Sequence, residues 1–117
     1  MIKTICFDID NVICSTKKNF YKKSKPLKKN INLINQLFNS GYFIKIFTAR
    51  GMGTFNEKIK LVKKAHKKNT INQLKKWGVK YHRLYFGKPS FDLYIDDKNL
   101  GFKSNWNELL KRTLAIK

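Results

Sequence analysis

Asp8 and Asp10 stand two residues apart at the end of a short apolar run, Lys3-Thr4-Ile5-Cys6-Phe7. In extended backbone, side chains at i and i+2 point to the same side. One carboxylate can then attack phosphorus while its neighbour handles protons. An aspartate that accepts a phosphoryl group divides one hard displacement into two easier steps. Thr48 ends a second run, Tyr42 to Phe47, and offers a hydroxyl and a backbone N–H suited to a phosphate oxygen, with Arg50 close enough in sequence to assist. Lys88 lies between Gly87 and Pro89 in a constrained bend after Arg83-Leu84-Tyr85-Phe86, where a fixed ammonium can neutralise a nucleophile and a transferring phosphoryl group. A fourth run, Phe91 to Ile95, ends in Asp96-Asp97. Clustered carboxylates suit Mg²⁺, which lets like-charged side chains approach a phosphate dianion. Taken singly, each feature has a plainer reading: Asp8-Ile9-Asp10-Asn11 as a strand-end turn, Asp96-Asp97 as a surface turn, Lys88 as one more solvated lysine.

These residues can meet only if the four runs are neighbouring strands. Runs of β-branched and aromatic residues separated by helical segments read as buried strands of a parallel sheet, and ligand sites in open α/β sheets lie beyond the carboxyl ends of the strands. Pro26 opens a helical segment in which Leu27, Ile31, Ile34, Leu37 and Phe38 recur at helical spacing until Gly41. From Asn56 to Trp77 the pattern is helical again, with Ile59, Val62, Ala65 and His66 on one face and Ile71, Leu74 and Trp77 continuing it. Trp106, Leu109 and Leu110 mark a last amphipathic helix. The order predicts an α/β fold, a three-layer Rossmann-like parallel sheet with helices on both faces, built as a single domain over residues 1–117. Asn11 to Lys25 is a polar, Lys-rich connector. Cys6 is expected as a small buried hydrophobe and Cys14 as filler near the Asp pair. His66 is expected in the core, and His82 has no partners at metal-ligand spacing.

With 26 Lys and Arg against 7 Asp and Glu, the chain carries a formal charge of +19. That invites a nucleic-acid reading. Arginine, however, occurs only at Arg50, Arg83 and Arg112, whereas bidentate base readout favours Arg. A generic lysine-coated surface is the favoured account, and either surface attracts anionic substrates. No run approaches the roughly 20 apolar residues of a bilayer span, and the N-terminus enters a strand without a signal region. A cytoplasmic protein with no membrane partner is expected.

The four motifs together, spanning about Ile2 to Asp97, resemble the haloacid dehalogenase superfamily of phosphatases. Phe7-Asp8-Ile9-Asp10-Asn11-Val12 is similar to its first motif, Phe47-Thr48-Ala49-Arg50 to its second, Phe86-Gly87-Lys88-Pro89 to its third and Tyr94-Ile95-Asp96-Asp97-Lys98 to its fourth. The resemblance implies Asp8 as nucleophile and Mg²⁺ ligand. It implies Asp10 as general acid/base, also binding the metal through its backbone carbonyl. Thr48, Ala49, Lys88 and Asn11 would bind phosphate, and Asp96 and Asp97 would complete the metal site. Asn11 and Val12 stand where many members have Gly-Thr, which leaves Asn11 donating its backbone N–H if its dihedrals permit. The chain further resembles small bacterial members found with capsule or surface-polysaccharide synthesis.

Family members often insert a cap domain. Asn11 to Lys25 has room only for a short flap and Asn56 to Gly78 is taken by core helix, so a capless member with an open site is expected. Such sites accept large substrates or borrow a lid from a second subunit. The implied activity is Mg²⁺-dependent hydrolysis of a phosphomonoester, a sugar phosphate or similar small metabolite, through an aspartyl-phosphate. Two other readings stay open: a nucleic-acid or nucleotide end phosphatase, and a catalytically silent phosphate-binding module.

Overall fold

The computed structural model describes residues 2–115; residues 1, 116 and 117 of the expected domain lie outside that description. The elements in chain order are β1 (Thr4–Phe7), β2 (Cys14–Ser15), β3 (Lys25–Pro26), α1 (Lys28–Asn39), β4 (Phe43–Thr48), α2 (Ile59–Lys76), β5 (Arg83–Phe86) and α3 (Trp106–Thr113). The fold is mixed α/β. Its parallel sheet runs β1-β4-β5, with Phe7 opposite Ile46 and Thr48 opposite Phe86. The carboxyl ends of all three strands therefore leave the sheet along one edge, where Asp8, Thr48 and Lys88 follow or close them.

Burial in β4 alternates with the period of two that a pleated strand imposes: Ile44, Ile46 and Thr48 are buried, while Phe43, Lys45 and Phe47 are half-buried. Ile31 and Ile34 of α1 and Leu74 of α2 join Ile44 and Ile46 in one core cluster with Ile9, Ile13, Cys14 and Val79. Each such isoleucine contributes about 1.5–3 kcal/mol through burial. Both helices thus cover the same face. Chain direction explains this, because two successive right-handed crossovers that step the same way across a sheet put their helices on one side.

Three expectations need correction. Pro26 lies in β3 opposite Cys14, not in the helix, which begins at Lys28; a proline without an N–H is tolerated in so short an edge ladder. Phe91–Ile95 is irregular rather than a strand. In an extended strand, residues three apart are separated by about 10 Å, yet the rings of Phe91 and Tyr94 stack at 4.9 Å. The two side chains close on Lys88, whose ammonium lies 5.4 and 5.3 Å from their centroids, and that turn is incompatible with a ladder. Consequently β1 is an edge strand, and Cys6 is exposed instead of buried. Without the reversal that a fourth strand would bring, α3 contributes no buried residue. The radius of gyration, 15.7 Å, exceeds the roughly 13 Å of a tightly packed chain of similar length. Among the described residues, no helix is long and apolar enough to cross a membrane.

Candidate active site

The loop after β1 turns sharply. Ile9 is fully buried and its carbonyl accepts N–H groups from Val12, Ile13 and Cys14, which fixes the backbone between the two aspartates. Asp8 accepts the Ile9 N–H at 2.7 Å through Oδ1 and faces Lys88 Nζ at 3.4 Å through Oδ2. Lys88 is placed by backbone as well as charge, since its N–H donates to the Thr48 carbonyl at 3.1 Å. Gly87, at φ +96°, makes the bend that turns Lys88 back; a non-glycine residue is strained in that region. Thr48 itself is fully buried, and its hydroxyl accepts the Arg50 N–H at 3.1 Å. Ala49 is half-buried against the cluster of Met52, Val62 and Phe86.

Arg50 lies two residues beyond the end of β4 and is fully buried. Its Nη2 lies 3.0 Å from Asp10 Oδ1 and its Nε 3.1 Å from Oδ2. Nη1 donates to Thr70 at 3.1 Å and Gln73 at 2.6 Å, and the Tyr21 ring covers the guanidinium at 5.0 Å. Asp10 also accepts from the Thr16 hydroxyl at 2.6 Å, and Thr16 shares a 2.6 Å contact with Ser24. The connector between β2 and β3 is thereby tied to the site as a short flap. Among the described residues there are two ion pairs, Arg50–Asp10 and Lys88–Asp8. In so lysine-rich a chain, both fall at this one sheet edge.

Asn11 adopts a left-handed conformation, φ 67°, as the Asp-Ile-Asp-Asn stretch requires. Its N–H donates to the Cys14 carbonyl at 2.6 Å, so the expected phosphate contact would require that bond to open. Cys14 is buried beside Asp10, 3.7 Å from Oδ1, and burial pushes its thiol up, leaving it protonated and inert at neutral pH. His66 is half-buried rather than core. It packs edge-on to Tyr21 at 5.1 Å, and burial first, then the neighbouring Arg50, lowers its pKa so that it is neutral at pH 7. His82 stacks between Phe38 and Phe43 at 4.5 and 4.4 Å, its Nδ1 accepting the Ile44 N–H.

The fourth motif meets the third through the Tyr94 ring over Lys88, but its carboxylates do not gather with Asp8 and Asp10. Asp96 accepts from the Tyr94 hydroxyl at 3.0 Å and the Lys98 N–H at 3.1 Å, and the Lys98 N–H is the first cause of a carboxyl held below the usual range. Asp97 is exposed. The Asp8 carboxylate and the Asp10 carbonyl are hard oxygens of the kind Mg²⁺ takes. Among the described residues, though, no three His, Cys, Asp or Glu side chains gather closely enough to hold a metal ion. The donor types suit the cation, while their placement supplies only the β1 side of such a site. A concavity of about 490 Å³ lined by Ser24, Pro26, Ile31 and Trp77 includes none of these residues.

No family model and no curated protein sequence matches the chain. Among solved structures, a crystallographic target protein from Vibrio cholerae is similar over 97% of this chain and 99% of its own, with 23% identity and a TM-score of 0.74. The likeness is one of fold, and it extends over nearly the whole chain.

Thr16, Tyr21, Thr70 and Gln73 are site residues that motif reading passes over. Thr70 and Gln73 carried a signal, being polar residues about one and two turns beyond His66 on the inward face of α2. Gly51 carries another. Its φ is +75°, and a Cβ there would stand 2.5 Å from His66 Cδ2. Gly51→Ala should force the imidazole off Tyr21 and strain the loop by about 1–3 kcal/mol, seen as a thermal midpoint several degrees lower. An unchanged midpoint would show that the loop is not pinned there.

Proposed function

We propose that the chain is a phosphomonoester hydrolase of haloacid dehalogenase type, acting through an aspartyl-phosphate on a sugar phosphate or similar small metabolite. The observation that carries this reading is the meeting of Asp8, Thr48 and Lys88 at the carboxyl edge of one parallel sheet, with Lys88 bonded both to the Asp8 carboxylate and to the Thr48 carbonyl. A parallel sheet brings its strand ends together in any case; what supports the reading is that the groups meeting here are a carboxylate, a hydroxyl and an ammonium, the types phosphoryl transfer uses.

In the proposed reaction the Asp8 carboxylate forms a bond to phosphorus as the bond to the leaving oxygen breaks, and that oxygen takes a proton from Asp10. Water then attacks the aspartyl-phosphate, Asp10 takes the water proton, and phosphate leaves with Asp8 restored. Lys88 lowers the repulsion between carboxylate and phosphate dianion and steadies charge on the phosphoryl oxygens. Mg²⁺ belongs to the proposal as the further positive charge that lets both carboxylates face a dianion. A three-layer Rossmann-like core is likewise part of it, with α3 as the helix that would cover the second face of the sheet. The short flap leaves the site without a cap of its own, so a second subunit is the proposed source of any lid.

A nucleic-acid end is the second reading, favoured by the exposed basic face that Lys63, Lys64, Lys67 and Lys68 make on α2. Phosphate release from a panel of sugar phosphates, set beside 3′- and 5′-phosphorylated oligonucleotides, separates the two. Higher kcat/KM on sugar phosphates is expected, with only weak, salt-sensitive oligonucleotide binding. Salt-sensitive turnover confined to oligonucleotide ends would replace the first reading with the second, and a panel wholly inert would leave a silent phosphate-binding module.

A further inference from the structure

The Arg50 side chain has no exposed surface. A buried guanidinium is tolerated only when paired and hydrogen-bonded throughout, and every N–H of this one has an acceptor. Nε and one N–H of Nη2 grip the Asp10 carboxylate, and Nη1 is held by Thr70 and Gln73 on α2. The remaining N–H points to Cys14 Sγ at 3.8 Å. Turning toward a substrate would strand these donors, so direct phosphate binding by Arg50 is disfavoured and Asp10 is the group on which it acts. Asp10 Oδ1 is crowded by Arg50, Thr16 and Cys14. Oδ2 has Arg50 Nε alone. The fork fixes the rotation of the carboxylate and leaves Oδ2 with lone-pair capacity.

We infer that Arg50 is a positioning residue, anchored from α2 by Thr70 and Gln73, that holds Asp10 with Oδ2 as the oxygen that gives and takes the proton. This rests on the phosphatase reading above. The competing account makes Arg50 a structural counter-charge whose loss lowers the folded fraction and depresses turnover of every ester alike. Positioning has a different signature. Its loss falls on esters whose leaving oxygen needs a proton, and it vanishes once Asp10 can no longer supply one.

The test measures kcat/KM for an alkyl phosphate and an aryl phosphate with Arg50→Lys and Thr70→Val, each alone and combined with Asp10→Asn. Rates are normalised to the folded fraction from circular dichroism. Lysine keeps the charge without the fork, so Arg50→Lys should cost about 10²-fold on the alkyl ester and less than about threefold on the aryl ester. Thr70→Val keeps side-chain shape, removes one anchor, and should cost a few-fold on the alkyl ester only. In the Asp10→Asn background neither should cost more than about twofold. Equal losses on both esters, or losses that multiply with Asp10→Asn, would overturn the assignment while leaving the phosphatase reading intact. If Arg50→Lys does not fold, the Thr70→Val cycle decides alone. A wild-type protein inert toward both esters would bring down the phosphatase reading and this inference with it.

Discussion

Asp8→Asn is expected to remove turnover, by roughly 10³-fold or more, while leaving the protein folded. The amide preserves shape but has neither the nucleophilicity nor the charge of the carboxylate, so the loss should appear in kcat. Stability should move little. The Asp8–Lys88 pair lies 3.4 Å apart with both side chains partly exposed, and such pairs contribute about 0–1 kcal/mol. Initial rates on the responsive ester, with a thermal melt of the same preparation, check both halves. Near wild-type turnover by well-folded Asp8→Asn protein would sink the nucleophile assignment.

Metal removal should have an effect of similar size. Excess EDTA is expected to abolish phosphate release, and added Mg²⁺ to restore it. Asp96→Ala should raise the Mg²⁺ concentration for half-maximal activity by at least about tenfold, the scale on which even outer-shell partners act. Asp96 is suited to that part because its Tyr94 partner already borders Lys88. Full activity in EDTA would overturn the metal proposal. Unchanged metal dependence in Asp96→Ala would remove Asp96 from it.

Periodicity made the helices and the three paired strands readable, because alternating burial in β4 and helical spacing in α1 are local consequences of backbone geometry. The placing of Asp8, Thr48 and Lys88 at one edge was readable from their positions after apolar runs, since strand ends in one sheet converge whatever lies between them. The fourth run misled for a reason local pattern cannot register: Phe91 and Tyr94 found each other and Lys88, a cation–aromatic cluster that competes with strand pairing. Cys6 followed it, as its burial depended on a neighbour for β1. The anchors of Arg50 were hidden differently. The inward-facing polarity of Thr70 and Gln73 does not say what they hold until a buried guanidinium needs acceptors, and that guanidinium lies 20 and 23 residues away in sequence.

The open edge of β1 also bears on how copies of this chain behave in a crowded solution. An unpaired strand edge beside exposed Phe91, Leu93 and Ile95 is a template for adding strands from other chains. Natural edges are commonly blunted by charge. Here the blunting is global: at +19, each molecule repels its copies before an edge can dock. Such colloidal protection reaches only as far as the Debye length, about 10 Å at 0.1 M salt and about 3 Å at 1 M. Polyanions would cancel it more efficiently than simple salt, by binding the lysines that hold the edges apart.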